Sequence, residues 1–494
     1  MEQVYLGIDI GAESGRLMAG LWDGTRMRLE ELHRFPNGAR EVNGGLRWDI
    51  TRLWEEIQNG LRLAAQRYGP RIVSVGVDTW ALDYVLMSAA GELLEEPFCY
   101  RDPRTRGLVE ASFQRVPRSE IFAETGLQFM EINTLYQWIA HHRADPAVFQ
   151  ATDCFLMIPD WLNWKLSGVK AAEFTNATTT QFLNPVTRKW SVGLLERFGL
   201  PTHLLPILVE PGTRLGLLQP EVAQRTGLAQ IPVIAPATHD TGSAVVGVPA
   251  QKSSRPDWAY ISSGTWSLVG IETTAPLINP LALELNITNE GGVDGTWRVL
   301  KNVMGLWLVQ QCRKSFAANG GTNDYAALMT LAAAAEPLRS LVNPDAPEFL
   351  NPPDMPAALR EQCRRVGQPI PETEGALVRC ALESLALKYA VVLDQLERLS
   401  GVRIEVIYIV GGGARNTLLN QMTADACQRR VVAGPTEATV LGNLLVQARA
   451  MGELGSLAEI REVVRQSSEL VEYLPDASSA EKWSAASARF AKLI

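Results

Sequence analysis

Five short stretches of this chain place residues able to hold or move an anionic group at the ends of apolar runs. In Asp9-Ile10-Gly11-Ala12-Glu13-Ser14-Gly15-Arg16 a turn rich in small residues lets backbone N–H groups converge on an anion. Ser14 and Arg16 add side-chain donors, and Asp9 at the strand end can hold a hydrated Mg²⁺. Such a turn is a phosphate loop without a lysine; its plain alternative is a hairpin with Asp9 at the tip. A second stretch, Thr238-His239-Asp240-Thr241-Gly242-Ser243-Ala244, follows the apolar run 231–237, and Asp240 there could accept the proton of an attacking hydroxyl or simply cap a helix with Thr241. His239 beside it suggests orientation or packing.

Ser263-Gly264-Thr265 offers a second phosphate turn, with Thr265 the side-chain donor, or else an ordinary turn. Gly411-Gly412-Gly413, with Asn416 one helical turn on, either admits a flat ring against a backbone that lacks Cβ atoms or starts a helix. Asp78-Thr79-Trp80-Ala81-Leu82-Asp83 brings two carboxylates and an indole together, a lining suited to a polyol whose C–H face a Trp can cover. Strand-end caps and a core Trp are the alternative there. The order of these pieces, two phosphate turns with Asp240 between them, points to transfer of a phosphoryl group from ATP to a hydroxyl.

The elements that must position these residues are legible from periodicity. Val4–Ile10 and Leu17–Trp22 read as a hairpin. Asp49 is an N-cap for a helix with apolar positions Ile50, Leu53, Trp54, Ile57, Leu61, Ala64 and Tyr68, and the strand 72–77 follows it. The second half repeats this order: Tyr260 to Gly270 is strand, glycine turn and strand, with Gly264 standing to it as Gly11 stands to the first copy. A helix with apolar positions Val378, Ala381, Leu385, Tyr389, Val392, Leu396 and Leu399 then leads into the strand 404–410. Duplication predicts two similar lobes, with the boundary between Val245 and Pro256.

At 494 residues two large domains are expected. No apolar run approaches the roughly 18 residues of a membrane span. A net charge of -8 without clustered Lys or Arg argues against a nucleic-acid partner. The first strand begins at Val4, which leaves no room for a secretory leader and predicts a cytoplasmic protein. Six scattered Cys without a CxxC fit free thiols, with Cys363 and Cys380, which flank a Pro-rich stretch, a pair that could bridge.

Over nearly its whole length the sequence resembles the FGGY carbohydrate kinases, part of the superfamily that also holds actin, hexokinase and the large heat-shock chaperones. The resemblance rests on Val77-Asp78-Thr79-Trp80, Tyr100-Arg101-Asp102, Phe174-Thr175-Asn176-Ala177-Thr178-Thr179-Thr180-Gln181 and His239-Asp240-Thr241. It rests equally on Ser262-Ser263-Gly264-Thr265-Trp266-Ser267, Asn286-Ile287-Thr288-Asn289-Glu290-Gly291-Gly292 and Val299-Leu300-Lys301-Asn302-Val303-Met304-Gly305-Leu306-Trp307.

The fold this implies is α/β, with two ribonuclease-H-like (actin/hexokinase-type) lobes and a nucleotide and sugar cleft between them. Residues 1–245 would bind sugar and carry the base, 246–456 would bind ATP, and the helical 457–494 would pack back on the first lobe. The resemblance implies Asp240 as catalytic base, with Asp78, Trp80, Ala81, His239 and Thr241 about the sugar. Ala12, Glu13, Ser14, Gly15, Arg16 and Thr265 would meet the ATP phosphates; Asn302, Gln310 and Gly412 would line the nucleotide pocket; and Asp9 would hold Mg²⁺ through water. Ala81 stands where the family carries a Gly whose backbone lies against the sugar. L-Rhamnulose, phosphorylated at its C1 hydroxyl, is the implied substrate, with L-fuculose or xylulose as alternatives. An actin- or chaperone-like assembly ATPase is the reading from another class, and it has no use for Asp78, Trp80 and Asp240 together.

Overall fold

β-Branched and aliphatic runs make the central strands, in a computed structural model that describes residues 2–251 and 257–494. The chain divides into two compact units. The first comprises residues 2–251 with Glu272–Val299 and Ala438–Ser468; the second comprises 257–271, Leu300–Glu437 and Glu469–Ile494. Part of the expected boundary, 252–256, lies outside the described residues.

In the first unit, β1 (Gln3–Ile10), β2 (Ser14–Trp22) and β3 (Met27–Pro36) form an antiparallel meander. The helix α1 (Ile50–Tyr68) then returns the chain to β4 (Ile72–Thr79), which pairs parallel to β1. β5 (Thr213–Leu217) and β6 (Pro232–Ala235) complete a six-stranded sheet in the order β5-β6-β4-β1-β2-β3. Every predicted apolar position of α1 is buried, and Asp49 accepts from the Arg52 N–H at 3.1 Å as its cap. β2 starts three residues earlier than its apolar run predicts. Gly15 lets the strand continue there, since a Cβ would lie 2.2 Å from the Phe35 ring of the paired strand. Beyond β6 comes the short helix α2 (Asp240–Val246).

The second unit is built on β7 (Trp258–Ser263) and β8 (Trp266–Thr273), again an antiparallel hairpin. Strand β9 (Thr288–Gly291) and the first residues of β10 (Trp297–Met304) belong to the first unit, while the rest of β10 and helix α3 (Trp307–Ala318) belong to the second. Helix α4 (Glu374–Ser400) buries Val378, Ala381, Leu385, Tyr389, Val392 and Leu396 and delivers the chain to β11 (Val406–Val410), parallel to β7. After α5 (Thr417–Cys427), β12 (Arg430–Ala433) pairs parallel to β11.

The contiguous lobes expected from the sequence give way to interleaved units. Helices α6 (Ala438–Ala450) and α7 (Leu457–Ser467) fold with the first unit, ahead of β13 (Val471–Tyr473) and α8 (Ala480–Phe490), which fold with the second. The reason is chemical complementarity. Inside the first unit, Gln447 of α6 donates to the Leu6 carbonyl at 2.9 Å and accepts from the Ser74 hydroxyl at 2.7 Å. Gly442 and Gly247 let α6 and α2 approach until a Cβ on either would strike backbone of the other helix or its start, 1.9 Å from Ser243 O and 2.3 Å from Ala438 O. In the second unit, α8 buries Trp483, Ala486 and Phe490, and the Asp476 N–H donates to Asp425 of α5 at 2.8 Å. Of the segment 457–494, α7 thus groups with the first unit and α8 with the second.

Candidate active site

Parallel pairing of β1, β4 and β6 sets three strand ends side by side in the first unit. Asp9 and Asp78 are register partners across β1 and β4, and Thr79 pairs with His239 beyond β6. Side chains at such carboxyl ends point out of the sheet's edge, where α/β proteins place reactive groups. Asp9 is engaged by Arg16, whose Nε and Nη2 both donate to its Oδ2, at 3.0 and 2.8 Å. Asp78 is wholly buried; its Oδ2 accepts from Asn443 Nδ2 of α6 at 2.5 Å, and its Oδ1 has no hydrogen-bond partner among the described residues. Burial, then the neighbouring Asp9 and Asp240 carboxylates, holds Asp78 well above the usual carboxylate range.

Asp240 opens α2. Its Oδ1 accepts from the Thr241 N–H at 2.5 Å and the Thr241 hydroxyl at 3.2 Å, and His239 Nε2 lies 3.4 Å from the same atom. Burial raises its proton affinity, His239 opposes that rise, and Asp9 adds to it. A carboxylate shifted in this direction is a better proton acceptor than a free one.

The segment that presents Asp240 is fixed from behind. Glu173 accepts four hydrogen bonds, from the N–H and hydroxyl of Thr175 at 2.9 and 2.5 Å and from those of Thr238 at 2.9 and 2.8 Å. Arg298 and Glu290, which the sequence reading did not single out, meet His239 from its other side. A charged residue inside the strand-like run 297–300 was the available signal, since a buried Arg requires partners.

Trp80 and Asp83 turn out to be coupled. The indole N–H groups of Trp80 and Trp48 both donate to Asp83 Oδ2, at 3.0 and 2.6 Å, with the rings 4.4 Å apart. Gln137 and the Tyr100 N–H complete the shell, and burial still lifts Asp83 to about 6. Trp80 is therefore locked by its own polar end and only 6% exposed, while Ala81 beyond it is half-buried.

The second unit presents a different surface at the matching turn. The Gly264 N–H donates to Trp266 O at 2.8 Å, and the carbonyls of Gly264 and Thr265 accept from the start of α3, from Leu306 at 3.0 Å and from Gly305 and Trp307 at 3.2 Å. α3 carries Gln310, whose buried Oε1 has no hydrogen-bond partner among the described residues, and Asn302 lies in β10. The three glycines after β11 differ. Gly411 sits at φ 84°, a Cβ on Gly413 would lie 2.0 Å from Ser263 Oγ, and a Cβ on Gly412 would meet nothing within 4 Å. Asn416 is a helix cap, accepting from the Leu419 N–H at 2.9 Å and donating to Tyr325 at 3.0 Å.

These features fit ATP and Mg²⁺. The unpartnered Gln310 acceptor suits a ribose hydroxyl or ring amine, and the open space at Gly412 has no packing role. Among the described residues no group of three His, Cys, Asp or Glu could cage a metal. One carboxylate with water and phosphate oxygens, the usual environment of Mg²⁺, is what Asp9 can offer. All six Cys are free and buried, and no described helix is long and apolar enough to cross a membrane.

Comparison with known proteins places the chain in a family. Residues 4–247 match the N-terminal domain, and residues 259–451 the C-terminal domain, of the FGGY family of carbohydrate kinases. The chain is 46% identical to a rhamnulokinase of Bacteroides thetaiotaomicron over 494 residues, all of both chains. It is 40% identical to one of Oceanobacillus iheyensis over 473 residues, 96% of this chain and 98% of the other. Its fold is similar to that of a ligand-bound xylulose kinase of Lactobacillus acidophilus, with a TM-score of 0.80, 16% identity and coverage of 99% and 97%. A Plasmodium falciparum glycerol kinase solved with ADP gives a TM-score of 0.77 at 16% identity, with coverage of 99% and 98%.

Proposed function

The chain belongs to the FGGY family of carbohydrate kinases, and from that premise we propose that it phosphorylates L-rhamnulose at the C1 hydroxyl. Carbohydrate kinases of this family use ATP with Mg²⁺, which supplies a γ-phosphoryl group whose charge the metal neutralises. The observation that carries the reading is the carboxylate of Asp240, of raised proton affinity and pinned through Oδ1 by its described partners, in a chain 40–46% identical to rhamnulokinases over almost its full length.

In this reading Asp240 accepts the C1 hydroxyl proton, while His239, Thr241, Asp78, Trp80 and Ala81 surround the sugar. The turn Ala12 to Arg16 and Thr265 donate to phosphate oxygens. Asn302, Gln310 and Gly412 receive the nucleoside, and Asp9 faces the metal through water. The loose transition state of phosphoryl transfer asks for orientation and charge neutralisation more than for a strong base, so a carboxylate suffices. The protein acts in the cytoplasm, where ATP is available.

The test is ADP release with L-rhamnulose, L-fuculose, D-xylulose and glycerol, with the product identified by NMR. The expected result is highest kcat/KM for L-rhamnulose and phosphate on C1. A site built to hydrogen-bond one set of hydroxyls leaves groups unpaired with an epimer, at about 1–3 kcal/mol each. Faster turnover of D-xylulose or glycerol would overturn the substrate assignment while leaving the kinase.

A further inference from the structure

His239 meets different groups at its two ring nitrogens, all within the first unit. Nε2 lies 3.4 Å from Asp240 Oδ1. Nδ1 lies 3.2 Å from both Nη1 and Nη2 of Arg298 and 3.3 Å from Glu290 Oε2. Arg298 is completely buried. Its Nε donates to the Gly291 carbonyl at 2.8 Å, its Nη2 to the Thr175 carbonyl at 3.3 Å, and its Nη1 is 3.1 Å from Glu290 Oε2.

A guanidinium carries donors only and keeps its charge at any working pH. Two of its N–H groups can aim at Nδ1 only if that atom presents a lone pair; a proton there would point into a permanent cation. We propose that Arg298 is a positioning residue that fixes His239 as the neutral tautomer with its proton on Nε2, directed at Asp240. Glu290 neutralises the guanidinium: Arg298 Nη1 lies 3.1 Å from its Oε2 and 3.2 Å from His239 Nδ1, one donor group facing both, and despite burial the Arg298 charge holds Glu290 below the usual carboxylate range, so it stays ionised beside Arg298.

This tautomer matters for the base. Among the described residues, the hydrogen bonds and ion pairs of Asp240 fall on Oδ1, from Thr241 N–H, Thr241 Oγ and His239 Nε2. With Nε2–H donating, all three hold Oδ1 and leave Oδ2 to accept the hydroxyl proton. With the proton on Nδ1 instead, the Nε2 lone pair would face the Oδ1 lone pairs and turn the carboxylate away. The inference rests on Asp240 as the base.

The chain has five His, few enough to resolve by ¹⁵N–¹H correlation of histidine-labelled protein. At pH 7.5 the His239 pattern should be that of a neutral ring protonated on Nε2; a ring protonated on Nδ1, or on both nitrogens, overturns the proposal. In Arg298→Met the Nε2–H pattern should be lost and kcat should fall about a hundredfold, with KM for ATP within about twofold. A folded variant with unchanged tautomer, or with kcat near that of the parent, also overturns it. If Arg298→Met does not fold, Arg298→Lys keeps the charge opposite Glu290 but loses the fork, and about a tenfold loss of kcat is expected, with no loss overturning the proposal. Full turnover by Asp240→Asn would sink the base assignment without moving the tautomer, so the two failures are distinguishable.

Discussion

The two units use one hairpin design for opposite chemistry. β1 and β7 each run antiparallel to the next strand and parallel to a later one, β4 or β11. Counting back from Gly11 and from Gly264, Asp9 and Ser262 hold the same place, and their parallel partners are Asp78 and Val410. Where the first unit sets two carboxylates side by side, the second sets a hydroxyl beside an isopropyl group. β4 ends in Thr79 and is followed by Trp80, whereas after β11 come three glycines. The first surface carries carboxylates that can take up a proton; the second offers open space at Gly412 and no carboxylate at the matching positions, which suits a polyanionic nucleotide that further carboxylates would repel. A shared fold thus fixes where reactive positions lie but not what they do.

The sharpest way to break this contrast is to remove the acid that the second unit lacks. Asp240→Asn keeps the shape and the Thr241 contacts but cannot accept a proton. Its kcat should fall about a hundred- to ten-thousand-fold, with the apparent affinity for ATP nearly unchanged. Steady-state kinetics at saturating sugar reads this directly, and full turnover would remove Asp240 from its role.

A smaller effect separates two adjacent glycines of the second unit. Gly412→Trp meets no protein atom near its Cβ, so the melting temperature should hold while KM for ATP rises about tenfold or more, a loss near 1.4 kcal/mol. Gly413→Ala has the reverse character. Its methyl would press on Ser263 at 2.0 Å, and overpacking of this kind costs about 1–3 kcal/mol of stability. If Gly412→Trp lowers the melting temperature and leaves KM alone, the open space there is structural and the nucleotide assignment of the second unit fails.

The legible parts of this molecule are those set by local pattern. The stripe of α1, its Asp49 cap, the stripe of α4 and the duplicated glycine turns all follow from residues close in sequence. Illegible were partnerships between distant segments: α6 returning from residue 438 to fill the first sheet, and Arg298 reaching His239. Asn443 and Gln447 are four apart on an apolar helix, a hint of buried polar work, but nothing local names Asp78 and Ser74 as their partners. The bond of Trp80 to Asp83 and its packing on Trp48 were illegible for the same reason, since both exist only once the chain is folded.

The smallest expected effect concerns Asp78, the member of the acidic group that Val410 replaces in the second unit. Burial and the nearby Asp9 and Asp240 raise its folded-state proton affinity above that of the unfolded chain. A group shifted this way contributes its full stability below the ordinary carboxylate range, near a pKa of about 3.9, and loses it as pH rises through the folded value. Asp78→Asn removes that dependence. The asparagine oxygen still accepts from Asn443, and its amide can donate toward Asp9 as a protonated Asp78 would. The variant should therefore melt higher than the parent, by an amount that is least near pH 5 and widens toward pH 8. Thermal unfolding across that range checks the sign. A difference that shrinks as pH rises would mean that Asp78 is stabilised as an anion, and the contrast between an acidic first unit and a neutral second one would then need a cation at its centre even before ATP arrives.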